Sequence, residues 1–464
     1  MRPVHHLTVR IVAVAALALL AAGCASTAPD RGFDVVSKMA TDRLGKDARI
    51  VGTDDDATAL ARMIDDKMRS PLQADDAVQI ALLNNRALQS TYWNVGIAQA
   101  DLVQAGRLQN PSFTFQRTHP GNDVDIERSL TLSLASMLTA PLAKRIEARR
   151  FEQTRLMVAN QMLQHAADTR RAYYEAVAAV QGLVYARQVS AAAEASAELT
   201  DRMARAGNSS QLDLARERAF RAEATAGVGR ASKRATAARE KLTRLMGLWG
   251  DAAAYKLPDR LPDLPSSPAL LDDVERIAVR DRLDLQAAKI EAAQTAASLG
   301  LTKTTRFLNV LDLGYVRNAS AGQSAPGYAV TLELPLFDWG SARVAKSEAI
   351  YMQAVNKVAQ TAVEARSEAR ESYLDYRTAY DLAKHYRDEV IPLRKKISEE
   401  TQLRYNGMLV SVFELLADSR EQAAAVNATI EAQRDFWTAQ TNLEQALGGR
   451  LAAPSPIAIK EPRQ

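Results

Sequence analysis

The residues that could carry out chemistry are few and scattered along this 464-residue chain. Its one cysteine, Cys24, excludes an intramolecular disulfide, and a lone cysteine is most often a small buried apolar residue. The glycines of Gly227-Val228-Gly229 lie inside a helical pattern with no strand before them, so a phosphate-binding loop is weakly supported. The histidines, none with metal-ligand spacing, are His5, His6, His119, His165 and His385. The sequence therefore predicts neither an enzyme nor a bound metal or cofactor.

Charge and composition favour a helical protein that does not bind nucleic acid. The chain has 59 Lys and Arg against 55 Asp and Glu, and the two signs are interleaved rather than clustered. Only 6% of the residues are aromatic, and glycine and proline are sparse. This balance predicts long helices rather than a large sheet.

The chain begins with a pattern typical of secretion. Arg2 and Arg10 precede an apolar run, Ile11–Ala22, which is about half the ~20 residues of a membrane-spanning helix. This predicts a signal peptide over residues 1–23. Ala21-Ala22-Gly23 before Cys24 resembles the lipobox of bacterial lipoproteins, although Ala21 stands where leucine is usual. The resemblance implies N-acyl and S-diacylglycerol lipid on Cys24. It also implies that the protein is located in the outer membrane, because the residue after the cysteine is Ala25 and not aspartate.

The rest of the chain is a tandem duplication. Leu88 and Leu285, each followed by Gln, are 197 positions apart, and Ser210-x-x-Asp213 and Ser411-x-x-Glu414 are 201 positions apart. Other pairs with similar offsets are Pro141-Leu142 with Pro335-Leu336, Gly207 with Gly407, and Gly247 with Gly448. Offsets this steady predict two copies of one structural unit.

The duplication predicts the domain organisation. Four prolines within 257–269 mark a linker between the copies. The predicted segments are a signal peptide (1–23), a lipidated N-terminal segment (24–74), a first repeat (75–256) with a β-hairpin at 111–136, the linker (257–269), a second repeat (270–449) with a β-hairpin at 308–334, and a flexible tail (450–464).

Long helices dominate both repeats. The segments predicted as long helices are rich in good helix formers, and the first proline inside one of them is Pro392. The predicted helices are 75–106, 142–205 and 210–248 in the first repeat and 270–304, 338–404 and 411–447 in the second. Rods of this length must pack side by side as a coiled-coil-like bundle.

Two short segments in each repeat alternate apolar and polar residues, as a strand with one wet face does. Phe113 and Phe115 alternate with Thr114, and the other three segments follow the same rule. Thr118–Glu127 and Arg317–Pro326 are the predicted loops of the two hairpins. One interpretation is an ordinary four-stranded sheet on a helical core. The other is a set of membrane strands, which would require several chains to share one barrel because a bilayer tolerates no open sheet edge.

In this order, and twice over, the motifs resemble the TolC-type outer-membrane factor family along the whole mature chain. The residues that carry the resemblance are Asn110-Pro111, Leu334-Pro335-Leu336-Phe337-Asp338-Trp339-Gly340, Tyr405-Asn406-Gly407, Ser411-x-x-Glu414-Leu415-Leu416 and Leu443-x-x-Ala446-Leu447-Gly448-Gly449. The resemblance implies a fold that is mainly α with a small β part. It also implies a homotrimer with one twelve-stranded outer-membrane β-barrel, a helical periplasmic tunnel, and a belt built from the linker and both terminal segments.

Two short breaks separate the long helices. Glycine permits the positive φ of a helix reversal, and Ser210 and Ser411 suit N-caps completed by Asp213 and Glu414. By resemblance these breaks are the tips that touch a periplasmic adaptor protein. The predicted tip residues are Gly207, Ser209, Ser210, Gly407, Met408, Leu409, Val410 and Ser411.

Four carboxylates are candidates for lining a pore. Family resemblance suggests a constriction just past the second tip, where Glu414 and Asp418 are the available acids. A structural interpretation, with Glu414 as a cap and Asp418 as a solvated helix residue, is equally open. Asp312 and Glu333 fall on the polar face of the second hairpin and are predicted to face the lumen, or to form a structural ladder.

The sequence as a whole predicts a passive outer-membrane channel of a tripartite efflux system. Its predicted partners are two further copies, a periplasmic adaptor (membrane fusion) protein, an inner-membrane pump and outer-membrane lipid. A type I protein-secretion channel would use the same architecture. A helical periplasmic lipoprotein without a pore is the alternative from a different class.

Overall fold

A computed structural model describes residues 30–119, 121, 123–307, 310–320 and 323–449. The proposed signal peptide, Cys24 and the tail 450–464 lie outside these residues. Two short helices, α1 (Asp34–Leu44) and α2 (Asp54–Lys67), precede the first repeat. Thr53 begins α2 with a capping box, in which its side chain accepts from the amide of Asp56 and the Asp56 carboxylate accepts from the amide of Thr53.

The two repeats have the same order of elements: two helices, two strands and a pair of long helical segments. The first contains α3 (Ala74–Asn84), α4 (Arg86–Ala105), β1 (Ser112–Thr118), β2 (Asp125–Ser133), α5 (Leu134–Arg205) and α6 (Gln211–Met246). The second contains α7 (Val274–Asp281), α8 (Leu283–Thr305), β3 (Leu311–Ser320), β4 (Gln323–Leu332), α9 (Ser341–His385), α10 (Ile391–Asn406) and α11 (Val412–Ala446). The predicted fold class, mainly α with a small β part, is confirmed. No helix among the described residues has both the length and the apolar character needed to cross a membrane.

The second repeat departs from the first where Pro392 enters its long helix. Tyr386–Val390 forms a π-helical turn, and α10 follows with Pro392 in its first turn. Proline lacks an amide hydrogen and its ring clashes with the carbonyl four residues earlier, which the wider π turn accommodates. The helix predicted as continuous over 338–404 is therefore interrupted.

The chain forms two compact units. Unit 1 comprises residues 30–34 together with the described parts of 93–155 and 287–357, and it contains all four strands. The described part of unit 2 comprises 35–92, 156–286 and 358–449. Two hydrophobic clusters of described residues lie in unit 2. Tyr173 and Leu242 are buried in the first, and Tyr380 and Phe436 are buried in the second.

Two glycines end the repeats in the same way. Gly247 and Gly448 adopt positive φ angles of +68° and +81°. A Cβ at Gly247 would lie 2.9 Å from the carbonyl oxygen of Asn84, and a Cβ at Gly448 would lie 2.9 Å from that of Asp281. Asn84 and Asp281 are the last residues of α3 and α7. The two repeats thus share one close backbone approach that only glycine permits.

Candidate functional site

The four strands in unit 1 form one antiparallel sheet in the order β1-β2-β3-β4. Phe113 lies opposite Leu130 in the first hairpin, and Tyr315 lies opposite Tyr328 in the second. β2 pairs with β3, with Leu130 opposite Tyr315, so the sheet joins the hairpins of the two repeats. Within the described residues β1 pairs only with β2, and β4 only with β3. Each outer strand therefore presents an open edge.

One face of the sheet carries large apolar side chains that the chain does not cover. Directly opposite residues in an antiparallel pair share a face, so the register identifies the set. Its apolar members are Phe113, Phe115, Leu130, Leu132, Leu311, Leu313, Tyr315, Tyr328, Val330 and Leu332, and towards the hairpin turns the same face carries Arg117, Arg128 and Arg317. Tyr328 is 84% exposed, and Phe113 and Val330 are each 67% exposed. A continuous exposed apolar face indicates an interaction with membrane or protein.

The opposite face carries small and polar side chains. They include Ser112, Thr114, Gln116, Ser129, Thr131, Ser133, Asp312, Gly314, Ala329 and Thr331. Asp312 is half-buried and lies opposite Thr331 on one side and Ser133 on the other. Glu333 follows the last residue of β4, and its amide donates to the carbonyl oxygen of Val310 at 3.3 Å. The lumen-facing role of Asp312 and Glu333 stays a prediction.

The strand pairing extends farther than the alternating pattern indicates. Thr118 pairs with Asp125 in the first hairpin and Ser320 with Gln323 in the second. The predicted loops Thr118–Glu127 and Arg317–Pro326 were therefore too long. Strand pairing is made by the backbone, and near the hairpin ends both faces carry small or polar residues, so alternation gives no signal there.

The first helix reversal in unit 2 joins α5 to α6. Gly207 has a φ of +78°, and its amide donates to the carbonyl of Ala204 at 3.1 Å. The amide of Asn208 donates to the carbonyl of Met203 at 2.8 Å, which completes a Schellman motif. Ser210 then caps α6, because its hydroxyl accepts from the amide of Asp213 at 3.1 Å. Ser209 is half-buried beside this cap.

The second helix reversal joins α10 to α11 and corrects the interpretation of Gly407. Gly407 has a φ of −82°, whereas Met408 has a φ of +60°. The amide of Met408 donates to the carbonyl of Tyr405 at 3.0 Å, and that of Leu409 donates to Arg404 at 2.8 Å. Met408 therefore takes the left-handed position that Gly207 takes in the first reversal, so Gly407 does not supply it.

The side chains of the second reversal are apolar and exposed. Met408 is 93% exposed and Leu409 is 78% exposed, while Val410 is half-buried. Ser411 caps α11 by accepting from the amide of Glu414 at 3.3 Å. In the first reversal Asn208 and Ser209 occupy the positions of Leu409 and Val410. Only the second reversal presents an apolar turn.

The two candidate constriction residues differ in their surroundings. Glu414 is exposed at the start of α11, where its amide is capped by Ser411. Asp418 is half-buried, and its Oδ2 atom has no hydrogen-bond partner among the described residues. Ser411 caps the amide of Glu414, while the capping role of the Glu414 side chain and the constriction role of both residues stay predictions.

The sequence did not predict an ion pair between α6 and α11, the helices that follow the two reversals. Glu217 on α6 is buried and forms a salt bridge with Arg420 on α11. The hydroxyl of Ser196 on α5 donates to Glu217 at 2.7 Å. The guanidinium carbon of Arg420 lies 4.4 Å from the ring centroid of Phe220. One feature of the sequence could have indicated that Glu217 is buried. It follows Leu214 by three residues, and this spacing places both side chains on the same face of α6.

The family described as outer membrane efflux protein matches residues 276–449. These residues are an outer membrane efflux protein domain. They correspond to the second repeat, and the first repeat has the same order of elements. Over these residues the match confirms the family predicted from the sequence, and the family's description gives the predicted outer-membrane localisation. Cys24 lies outside the described residues, and its lipidation stays a prediction. No curated protein matches the chain.

Solved outer-membrane channels share this fold. The outer-membrane channel OprN is 19% identical with a TM-score of 0.69, over 92% of this chain and 95% of that one. The CmeC outer membrane channel of Campylobacter jejuni is 16% identical with a TM-score of 0.68, over 87% and 89% of the two chains. The MtrE outer membrane channel of Neisseria gonorrhoeae is 18% identical with a TM-score of 0.67, over 81% and 89%. At these identities the likeness establishes the fold alone.

Proposed function

We propose that three copies of this chain form an outer-membrane channel of a tripartite efflux system. The channel passively conducts small molecules or ions that an inner-membrane pump and a periplasmic adaptor deliver, and it catalyses no reaction. The observation that carries the proposal is the four-stranded sheet of unit 1, which has an exposed apolar face and two open edges.

The sheet explains why the channel must be an oligomer. In hydrocarbon an unsatisfied backbone group costs several kcal/mol, so the open edges of β1 and β4 must pair with other chains. Joining β4 of one chain to β1 of the next satisfies both edges and generates a closed ring. Three chains would give about twelve strands, within the range of outer-membrane barrels. The face with Asp312 and Gly314 would then line the lumen.

The second helix reversal is the proposed contact with the adaptor. Met408 and Leu409 expose apolar side chains in a turn whose backbone is strained at Met408. Strain in an exposed segment is retained where it serves a function. The first reversal, with Gly207, Ser209 and Ser210, would contribute polar contacts.

Glu414 and Asp418 are the proposed constriction. A ring of carboxylates raises the affinity of a pore for cations. Single-channel recordings of Glu414→Ala and Asp418→Ala test this role. We expect the ratio of cation to anion permeability to fall. An unchanged ratio in both variants would leave Glu414 a helix cap only.

The test of the channel compares neighbouring residues on opposite faces of β4. Val330→Arg places a charge on the apolar face and Thr331→Arg places one on the polar face. An arginine on the lipid face at mid-bilayer costs about 2–4 kcal/mol, whereas a lumen position tolerates it. We expect heat-modifiable trimers and single-channel current for the native chain and Thr331→Arg, and neither for Val330→Arg.

The outcomes separate the alternatives. A native protein with no current and no heat-modifiable oligomer would support a structural periplasmic lipoprotein and contradict the channel. A current together with copurification of a protein-exporting inner-membrane transporter would support a type I secretion channel. Equal behaviour of Val330→Arg and Thr331→Arg would contradict the assignment of the two faces.

Acylation of Cys24 is part of the same proposal. The lipid would be an additional membrane tether, because the barrel alone would hold the protein in the outer membrane. The mass of the mature N-terminal peptide tests for the lipid. Cys24→Ser with a cleavable signal should still assemble in the outer membrane. Its complete release as soluble protein would support the structural lipoprotein instead.

A further inference from the structure

The segment that leaves β4 exposes large apolar side chains at one end of the sheet. Phe337 is 99% exposed, Leu336 69%, Leu334 65% and Trp339 61%. The segment contains a local turn. In this turn the amide of Gly340 donates to the Asp338 carboxylate at 2.8 Å. Exposed aromatic side chains in an ordered loop indicate a binding surface rather than a solvated connection.

Phe307 joins this exposed segment to a nearby arginine. The rings of Phe307 and Trp339 meet edge to face with centroids 6.2 Å apart. The guanidinium carbon of Arg306 lies 4.2 Å from the Phe307 centroid. The Nη2 atom of Arg343 donates to the carbonyl oxygen of Arg306 at 3.2 Å. The end of α8 and the start of α9 thus form one cluster of aromatic and basic side chains.

Two lysines extend the positive charge of this cluster. Lys303 lies in the last turn of α8, three residues before Arg306, and Lys346 lies one turn after Arg343 on α9. All four basic residues are exposed, and the first turn of α9 contains no acidic residue. Basic residues beside a helix N-terminus are opposed by the helix dipole. An anion at this position would therefore stabilise the arrangement.

The cluster is continuous with the apolar face of the sheet. Leu332 is the last residue of β4 and lies on that face, and the exposed segment begins two residues later at Leu334. The same end of the sheet is where α8 leads into β3 and the segment leads into α9. Aromatic rings beside lysine and arginine, next to an apolar surface, are typical of the boundary between a membrane and water.

We infer that Leu334–Gly340, with Lys303, Arg306, Arg343 and Lys346, docks on the phosphate headgroups of anionic phospholipids. We call this surface the headgroup anchor. It fixes the depth of the sheet on the side of the membrane where the helices emerge. The inference rests on the proposed function, because it requires the apolar face of the sheet to lie in a bilayer.

The depth of Trp339 is the first test. The full-length protein is placed in vesicles of phosphatidylethanolamine and phosphatidylglycerol whose acyl chains are brominated near the headgroup or near the chain end. The chain has four tryptophans, so the Trp339 emission is the difference between the native protein and Trp339→Phe. We expect stronger quenching by the shallow bromines. A Trp339 emission that neither lipid quenches would overturn the inference.

The lipid preference is the second test. Spin-labelled phosphatidylglycerol and phosphatidylcholine report the relative affinity of the protein for each headgroup. In Arg306→Gln/Arg343→Gln we expect the preference for phosphatidylglycerol to fall by about five-fold or more, because each basic residue near an anionic surface contributes measurably to attraction. Arg306→Lys/Arg343→Lys should retain it. The matched control, Arg187→Gln/Arg216→Gln, removes two exposed arginines from unit 2 and should change nothing.

The results distinguish the anchor from the channel. Single-channel current with no quenching of Trp339 would refute the headgroup anchor and leave the channel intact. Absence of current and of any membrane insertion would refute the channel itself. If the double glutamine variant fails to assemble, the quenching measurement decides, since it uses a chain with both arginines intact.

Discussion

The two helix reversals of unit 2 make the same hydrogen bonds with different residues. In the first, Gly207 takes the left-handed position three residues before the cap Ser210. In the second, Met408 takes that position three residues before Ser411. A residue with a Cβ is disfavoured in this conformation by roughly 1–2 kcal/mol. The second repeat retains that strain in the turn that also exposes Leu409.

The two copies have therefore diverged at the turn where a partner is proposed to bind. The first turn reads Gly-Asn-Ser-Ser and is relaxed and polar, whereas Met408 to Ser411 read Met-Leu-Val-Ser and are strained and apolar. Strain and exposure coincide only in the second turn.

The largest effect is expected behind the turns, at the ion pair that joins their helices. Arg420→Ala leaves the Glu217 carboxylate buried with Ser196 as its remaining partner. Loss of one partner of a buried ion pair costs about 3 kcal/mol or more. We expect a clear fall in the melting temperature of the detergent-solubilised protein.

An exposed ion pair near the first turn provides the control. Arg216 lies 3.6 Å from Asp213, and its side chain is 66% exposed. Such pairs contribute between about 0 and 1 kcal/mol, so Arg216→Ala should leave the melting temperature almost unchanged. Equal effects of Arg216→Ala and Arg420→Ala would show that the buried pair does not hold the two repeats together.

The next effect concerns the side chains of the turns. Replacing Met408, Leu409 and Val410 by Gly, Asn and Ser gives the second turn the sequence of the first. Two exposed apolar anchors typically supply a few kcal/mol to an interface, so copurification with the adaptor should fall by about 100-fold while trimers persist. Quantitative pull-down from crosslinked membranes measures the change.

The reciprocal exchange shows whether position also matters. Placing Met, Leu and Val at Gly207, Asn208 and Ser209 should not restore adaptor binding to the first exchange. Restoration would mean that either turn can serve and that only the side chains count. Loss of trimers in the first exchange would instead assign Met408–Val410 to assembly.

Much of this architecture could be predicted from the sequence because it depends on periodic patterns. The duplication, the long helices and the apolar face of the sheet all repeat at fixed spacing, and these survive in a single sequence. The left-handed residue of the second helix reversal could not be predicted in this way. Pairing Gly207 with Gly407 assumed that glycine marks the left-handed residue, although that offset of 200 differs from the 201 of the flanking Ser210 and Ser411.

What could not be predicted depends on contacts between distant segments. Glu217 is an ordinary helix residue until α11 brings Arg420 to it, 203 positions later in the chain. The cluster of Arg306, Phe307 and Trp339 forms only when the ends of α8 and α9 meet. Strand ends were missed for another reason, because backbone pairing near Ser320 carries no side-chain pattern.

The smallest effect is expected on the local stability of the two turns, through the backbone conformation of Met408 and Gly207. Met408→Gly removes the strain of a left-handed residue with a Cβ, and its side chain is too exposed for packing to be lost. Gly207→Ala introduces the same strain in the first turn. We expect the first variant to stabilise its turn by up to about 1 kcal/mol and the second to destabilise its own by about 1 kcal/mol. Hydrogen exchange of the Leu409 and Asn208 amides, which close the two Schellman motifs, measures this locally. Protection should rise at Leu409 and fall at Asn208. Protection that falls in both turns would show that Met408 is not strained, and the contrast between the reversals would then be one of side chains alone.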